Sequence, residues 1–181
     1  MLTVLERAEK ALGGVGTSLL DDPEGWETLL IDYEPPRVER LWREFEGGYR
    51  LYLHRIYPCE KALFHPHPWP SAVKILSGSY EMGLGHRHSS PGENQRTPNW
   101  VPSPPAIAAT ITLSPGSSYE MIEPAGWHYV KPIGGSSLSI MVTGPKWGGW
   151  APKVDHPLGP VTPECKAELL SVFRHLYRRS P

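Results

Sequence analysis

Proline and glycine interrupt this chain too often for long helices and leave room mainly for short strands. Of 181 residues, 21 are Pro and 18 are Gly, above the usual share of each. Between these breakers, apolar and polar residues alternate with the two-residue period of a half-buried strand. TLLIDY (28–33) predicts a strand closed by Pro35-Pro36. RVERLWREF (37–45) fits helix or strand. A strand is preferred, because Gly47-Gly48 then turns it into YRLYLHRIY (49–57), where Tyr52, His54 and Ile56 share one face. AVKIL (72–76), Ser77-Gly78 and SYEMGLG (79–85) read as a hairpin. Short strands resume at AIAATITL (106–113), SYEMIE (118–123), WHYVKPI (127–133) and LSIMVTG (138–144), with turns at Pro115-Gly116 and Pro124-Ala125-Gly126.

Helical spacing is confined to the two ends. Leu2, Leu5, Ala8 and Leu12 predict an amphipathic helix over 2–12, stopped by Gly13-Gly14. Thr162-Pro163-Glu164 supplies a cap, a first-turn proline and an early acid for a helix over 163–178, with Leu169, Leu170, Phe173 and Leu176 as its apolar face. Residues 86–105 have loop chemistry, and an unpatterned stretch of that length is usually functional, mobile or both. The sum is roughly eight to ten short strands, the pattern of an all-β sandwich or small barrel. We expect a single domain over 1–181 with a barrel core at about 28–145.

Charge is balanced, with 18 Lys+Arg against 19 Asp+Glu. That argues against binding to nucleic acid or a membrane surface through bulk electrostatics. Seven Trp and eight Tyr provide enough apolar area to exclude a disordered chain. Cys59 and Cys165 have no zinc-type spacing and suit free thiols in a reducing cytosol, although the sequence leaves their pairing open. The opening MLTVLERAEKALGG has no apolar run of signal-peptide or membrane-spanning length, so a cytoplasmic location is expected. No phosphate loop, G-x-S-x-G elbow or paired CxxC occurs.

The chemistry concentrates in HPHPWP (65–70). A residue before proline is pushed toward extended backbone, so His65, His67 and Trp69 are all biased that way. Side chains two apart in a strand point together, and the prolines leave one edge without donors. The stretch therefore presents two imidazoles on one face, half of a metal site. About sixty residues on, LSPGSSYEMIEPAGWH (113–128) carries a turn glycine, a strand, a Pro-Ala-Gly turn and His128. A barrel can set the two pieces face to face.

In these motifs the chain resembles the cupin superfamily. His65, His67 and Gly78 match its first motif; Gly116, Pro124, Gly126 and His128 match its second. The family's glutamate, counted back from Gly78, falls at Ser71, and the Pro-Ala-Gly turn reaches His128 one residue early. HPHPW, SGSYE and TGPKW look like a poorly characterised bacterial subgroup related to cysteine-dioxygenase-like cupins. Thiol dioxygenases of that kind bind iron through three histidines without a glutamate. The resemblance implies a double-stranded β-helix (jelly-roll) barrel and a divalent metal on His65, His67 and His128. Fe(II) is favoured, and Ni(II), Zn(II) or Mn(II) are alternatives. It further implies a small-molecule substrate, with oxygenation as the leading activity and homodimerisation through edge strands.

Glu81 and Tyr80 lie within reach of such a cavity to position substrate or move a proton, and Tyr119 or Glu120 could reach it too. Other readings remain open. The histidines could be hydrogen-bonded core residues of a sensing or structural barrel, or could hold a metal for an isomerase or hydrolase. His54 reads as a core histidine, His86 and His88 as a solvated loop, and Cys59 as inert. Trp69, Trp127 and Trp147 read as packing residues, and Trp100 as a lid anchor or dimer contact.

Overall fold

We describe the fold from a computed structural model, covering residues 1–14, 18–87, 104–147 and 158–179. Its elements run α1 (Leu2–Gly13), β1 (Glu27–Ile31), β2 (Val38–Phe45), β3 (Tyr49–Ile56), β4 (His65–Pro66), β5 (Ser71–His86), β6 (Ala109–Leu113), β7 (Ser118–Met121), β8 (Gly126–Thr143) and α2 (Pro163–Arg179). The pairings between these strands are antiparallel. Among the described residues no helix is long and apolar enough to cross a membrane.

Two strands organise the rest. β5 and β8 pair from Ser71↔Thr143 to His86↔Gly126, with the register shifting between Ile75 and Ser79. On one side of that shift they join β1, β2, β3 and β7; on the other they join β4 and β6. Two sheets thus share a pair of continuous strands, the arrangement of a double-stranded β-helix. The all-β jelly-roll barrel with short flanking helices expected from the sequence is the fold that forms.

Strand alternation sorts the side chains into two cores. On the larger sheet Leu41, Leu51, Leu53, Ala72, Ile140 and Val142 face outward and bury against the helices. They meet Leu5, Ala8 and Leu12 of α1 and Leu169, Leu170 and Phe173 of α2. Full burial of each large apolar side chain contributes about 1.5–3 kcal/mol, which holds the short helices in place. Thr162 caps α2 by accepting from the Cys165 amide at 3.2 Å. The opposite positions, including Val38, Tyr52, Ile56, Val73, Met82 and Val130, fill the space between the sheets.

The helices and β1 to β3 form within a residue or two of expectation, and RVERLWREF is a strand. The hairpin at Ser77-Gly78 is corrected. AVKIL and SYEMGLG are one strand, β5, and WHYVKPI and LSIMVTG are likewise one strand, β8. Gly78 has φ +71°, which a tight turn and a β-bulge both require. The continuous partner β8 makes it a bulge, re-aiming the strand from one sheet to the other. AIAATITL contributes only Ala109–Leu113. Cys59 and Cys165 are free and half-buried. His88 and Trp100, and most of the expected loop, lie outside the described residues.

A Cβ at Gly78 would stand 2.6 Å from the Ser136 carbonyl oxygen; one at Gly116, φ +90°, would meet nothing within 4 Å. Gly78→Ala is therefore expected to cost about 2–3 kcal/mol, strain plus collision. Gly116→Ala should cost about 1–2 kcal/mol from backbone strain alone. Urea unfolding of the two variants checks this, and equal losses would contradict the bulge.

Candidate metal centre

His65 and His128 are direct cross-strand partners in the β4–β8 ladder, so their side chains leave the same face. His67 follows two residues after His65 and returns to that face, its ring stacked on His65 with centroids 5.3 Å apart. One ring nitrogen from each of His65, His67 and His128 lies within 4.8 Å of the other two. The Nε2 atoms of His67 and His128 are 2.9 Å apart. Nitrogens held about 2.0–2.1 Å from one ion stand roughly 3 Å apart, so this pair is already at ligand spacing. Two prolines help fix the segment. The carbonyls of Pro68 and Pro70 accept from the amides of Trp147 and Gly144, each at 2.9 Å.

The partners of the far ring nitrogens select the tautomers. His65 Nδ1 is 3.0 Å from the Leu63 carbonyl oxygen. A carbonyl only accepts, so Nδ1 carries the proton and Nε2 keeps its lone pair. His67 Nδ1 lies 3.3 Å from Ser71 Oγ, a hydroxyl able to accept from Nδ1–H in the tautomer that keeps the Nε2 lone pair for a metal. Ser71, fully buried, occupies the place where the resemblance puts a glutamate, and it supports a histidine from behind. His128 is 4 % exposed, and its Nδ1 is buried with no hydrogen-bond partner.

Burial sets the charge state. His65 is held below the ordinary histidine range, first by desolvation. His67 and His128 are held well below it, by desolvation and then by charge on neighbouring imidazoles. The three rings are thereby kept neutral, the form that binds metals.

The other candidates divide by face. Leu84 lies opposite His128, Met82 opposite Val130 and Tyr80 opposite Pro132, so Tyr80 is on the histidine face. Its hydroxyl donates to Tyr119 Oη at 3.2 Å, and the Tyr119 ring centroid lies 6.2 Å from that of His128. Burial raises the Tyr119 phenol to about 12 and pushes Tyr80 higher still, so both stay protonated. Glu81 is not brought to the histidines. It lies on the opposite face and accepts from the Tyr129 hydroxyl at 2.8 Å. Glu120 also points away, to the N-terminal amine of Met1 at 3.1 Å. His86, at the end of β5, is exposed. Trp69 lies 6.2 Å from the His67 ring, while Trp127 is buried beside Phe64. His54 is buried between the sheets with Tyr52, as expected.

Sequence reading passed over Arg40. It shares the inward phase of Val38 and Trp42 on β2, and a lone cation in that apolar phase is the signal that could have exposed it. A solvent-open groove of about 470 Å³ beside Trp26, Val161 and Leu170 lies on the helix side of the large sheet, away from the histidines.

No family model and no curated protein sequence matches this chain. Several solved structures share its general shape. KdgF from Halomonas sp. is 15 % identical, with a TM-score of 0.45 over 65 % of this chain and 88 % of its own. The iron(II) form of HppE is 15 % identical, with a TM-score of 0.47 over 67 % of this chain and 57 % of its own. EutQ from Clostridium difficile is 9 % identical, with a TM-score of 0.43 over 64 % and 75 %. Likenesses this loose carry no inference about the chemistry of the chain.

The depressed histidines make stability depend on pH with a definite sign. Between the folded values and about 6.5, the unfolded chain binds protons that the folded chain refuses, so stability falls as pH drops through that window and is unaffected above it. Each of His65, His67, His128 and His54 contributes up to about 1.4 kcal/mol per pH unit there. Urea midpoints of metal-free protein should fall steadily from pH 7 to pH 5. A flat profile would contradict the buried neutral cluster.

Proposed function

We propose that the protein is a metal-dependent cupin whose divalent ion is held by Nε2 of His65, His67 and His128, and that it acts on a small organic molecule. The observation that carries this reading is the convergence of the three ring nitrogens within 4.8 Å, each ring held neutral. The donor set fits the group: imidazole suits iron, nickel and zinc. Two of the three rings have a far nitrogen fixed by an outer partner, as ligating histidines usually do. The finer reading, supported by the absence of a carboxylate at Ser71, is an iron-dependent dioxygenase of the three-histidine kind. When bound, a redox-active divalent ion would supply Lewis acidity and the electrons for oxygen chemistry.

The residues of the chain have separable roles in this reading. Leu63 and Ser71 orient the ligand rings. Tyr119, supported by Tyr80, keeps a protonated phenol beside His128, where it can donate a hydrogen bond to a polar substrate group. Met82 and Val130 line the inner wall between the sheets and exclude water. Glu81, engaged by Tyr129 on the other face, has no part in proton transfer in this scheme.

Metal titration of tag-free protein, followed by the visible spectrum of Co(II) and by elemental analysis, tests the reading. One ion per chain is expected. His67→Gln and His128→Gln should each weaken binding by more than the 10–100-fold typical of losing an outer-shell partner, and Ser71→Ala by about that 10–100-fold. Iron with substrate-dependent oxygen uptake supports the dioxygenase. Tightly held zinc without uptake supports a metal-dependent isomerase or hydrolase. Failure to bind any divalent ion would leave the histidines as hydrogen-bonded core residues of a sensing or structural barrel.

A further inference from the structure

One edge of the larger sheet is β1, and among the described residues only part of that edge is covered. Leu30 donates to the Gly159 carbonyl at 2.8 Å, in an isolated antiparallel bridge. Continuing that register would set Val161 opposite Thr28. The chain passes instead into the Thr162 cap of α2, and no second bridge forms. Thr28 is two residues from Leu30, so its N–H and C=O point to the same edge, away from β2. Neither has a backbone partner among the described residues. The solvent-open groove of about 470 Å³ lies at this gap, lined by both Thr28 and Val161. An edge with unpaired main-chain groups is a template for another strand.

The groove also specifies a side-chain pattern. Trp26, Val161 and Leu170, all buried, give it an apolar lining. A residue added directly opposite Thr28 would share its face. Thr28 pairs with Leu41 of the outward core, so that side chain would lie against the apolar lining. The residues on either side would point the other way, in the phase of Glu27. Charge selects them. From Ala11 to Pro36 the chain has six acids and no lysine or arginine. Asp21 and Asp22 are engaged by Arg174 and Arg43. Glu24 and Glu27 are exposed, line the groove and have no ion pair among the described residues. Against these two acids stands one cation of the described lining, Lys166, so the groove is left net negative.

We propose that this groove takes an extended segment of another polypeptide as an added antiparallel strand on β1, carrying an apolar residue between basic neighbours. The residue opposite Thr28 donates its N–H to the Thr28 carbonyl and accepts from the Thr28 N–H. Main-chain bonds then supply affinity, while the apolar lining and the two acids select the sequence. The surface lies on the helix side of the larger sheet, so the proposal depends neither on the histidine triad nor on a metal.

The ¹⁵N-labelled protein is titrated with acetyl-Thr-Lys-Leu-Lys-Thr-amide while NMR follows the Thr28 amide and the Trp26 indole. Both signals should shift saturably. Replacing both peptide lysines by glutamate should weaken binding at least about five-fold, the scale of two exposed ion pairs. Methylating the leucine nitrogen removes the donor to the Thr28 carbonyl and should weaken it about ten-fold. Glu24→Lys combined with Glu27→Lys, two exposed changes outside the core, should reverse the preference between the lysine and glutamate peptides. No saturable shift at millimolar peptide, equal binding of the glutamate peptide, or undiminished binding of the methylated one would each overturn the proposal. Sedimentation provides the remaining arm. A dimer of the wild type that Ala167→Arg dissolves would make a second copy of this chain the occupant and overturn the peptide reading; a monomer under both conditions agrees with it.

Discussion

The antiparallel pairing of β5 with β8 is the constraint on which the rest of the molecule depends. It runs from Ser71↔Thr143 to His86↔Gly126 and passes from one sheet to the other. Because β8 is continuous, His128 at one end of it is positioned by the same ladder that places Ser139 near the other. Because β4 pairs with that end of β8, His65 is set opposite His128 by backbone hydrogen bonding rather than by side-chain preference. Two of the three histidines are thus placed by strands, which hold side-chain directions more firmly than loops do, and His67 follows directly on β4.

The inner wall carries more polar chemistry than a purely structural barrel requires. Four histidines, Arg40, two tyrosine hydroxyls and buried serines line a space otherwise filled by Val, Ile and Met. Desolvation keeps the imidazoles neutral and the phenols protonated, so the wall offers metal-binding lone pairs with hydrogen-bond donors beside them. The helices play no direct part in this. Their task is to cover the outer face of the larger sheet, where Leu41, Leu51, Leu53 and Ile140 would otherwise meet water.

Much of this was legible in the sequence because it depends on local rules. Alternation placed His54 with Tyr52 and Ile56, and proline geometry set His65 and His67 on one face. The helix signals, Gly13-Gly14 and Thr162-Pro163, marked real ends. What could not be read depends on partners distant in the chain. Gly78 has the same backbone whether it closes a hairpin or kinks a long strand, and only β8 decides between them. Tyr80 and Glu81 are neighbours in sequence, but register alone sends one toward His128 and the other to Tyr129. Arg40 looked like one charge in a charged strand, and only the register with β3 sets it opposite His54 on the inward face.

The central claim is that three imidazoles from two separate segments share one cation. X-ray absorption at the metal edge of the Co(II)- or Zn(II)-loaded protein tests it most directly. The account predicts three imidazole nitrogens at about 2.0–2.1 Å, with one imidazole lost in His65→Gln, His67→Gln or His128→Gln. A first shell made only of oxygen, or one unchanged by those substitutions, would contradict it.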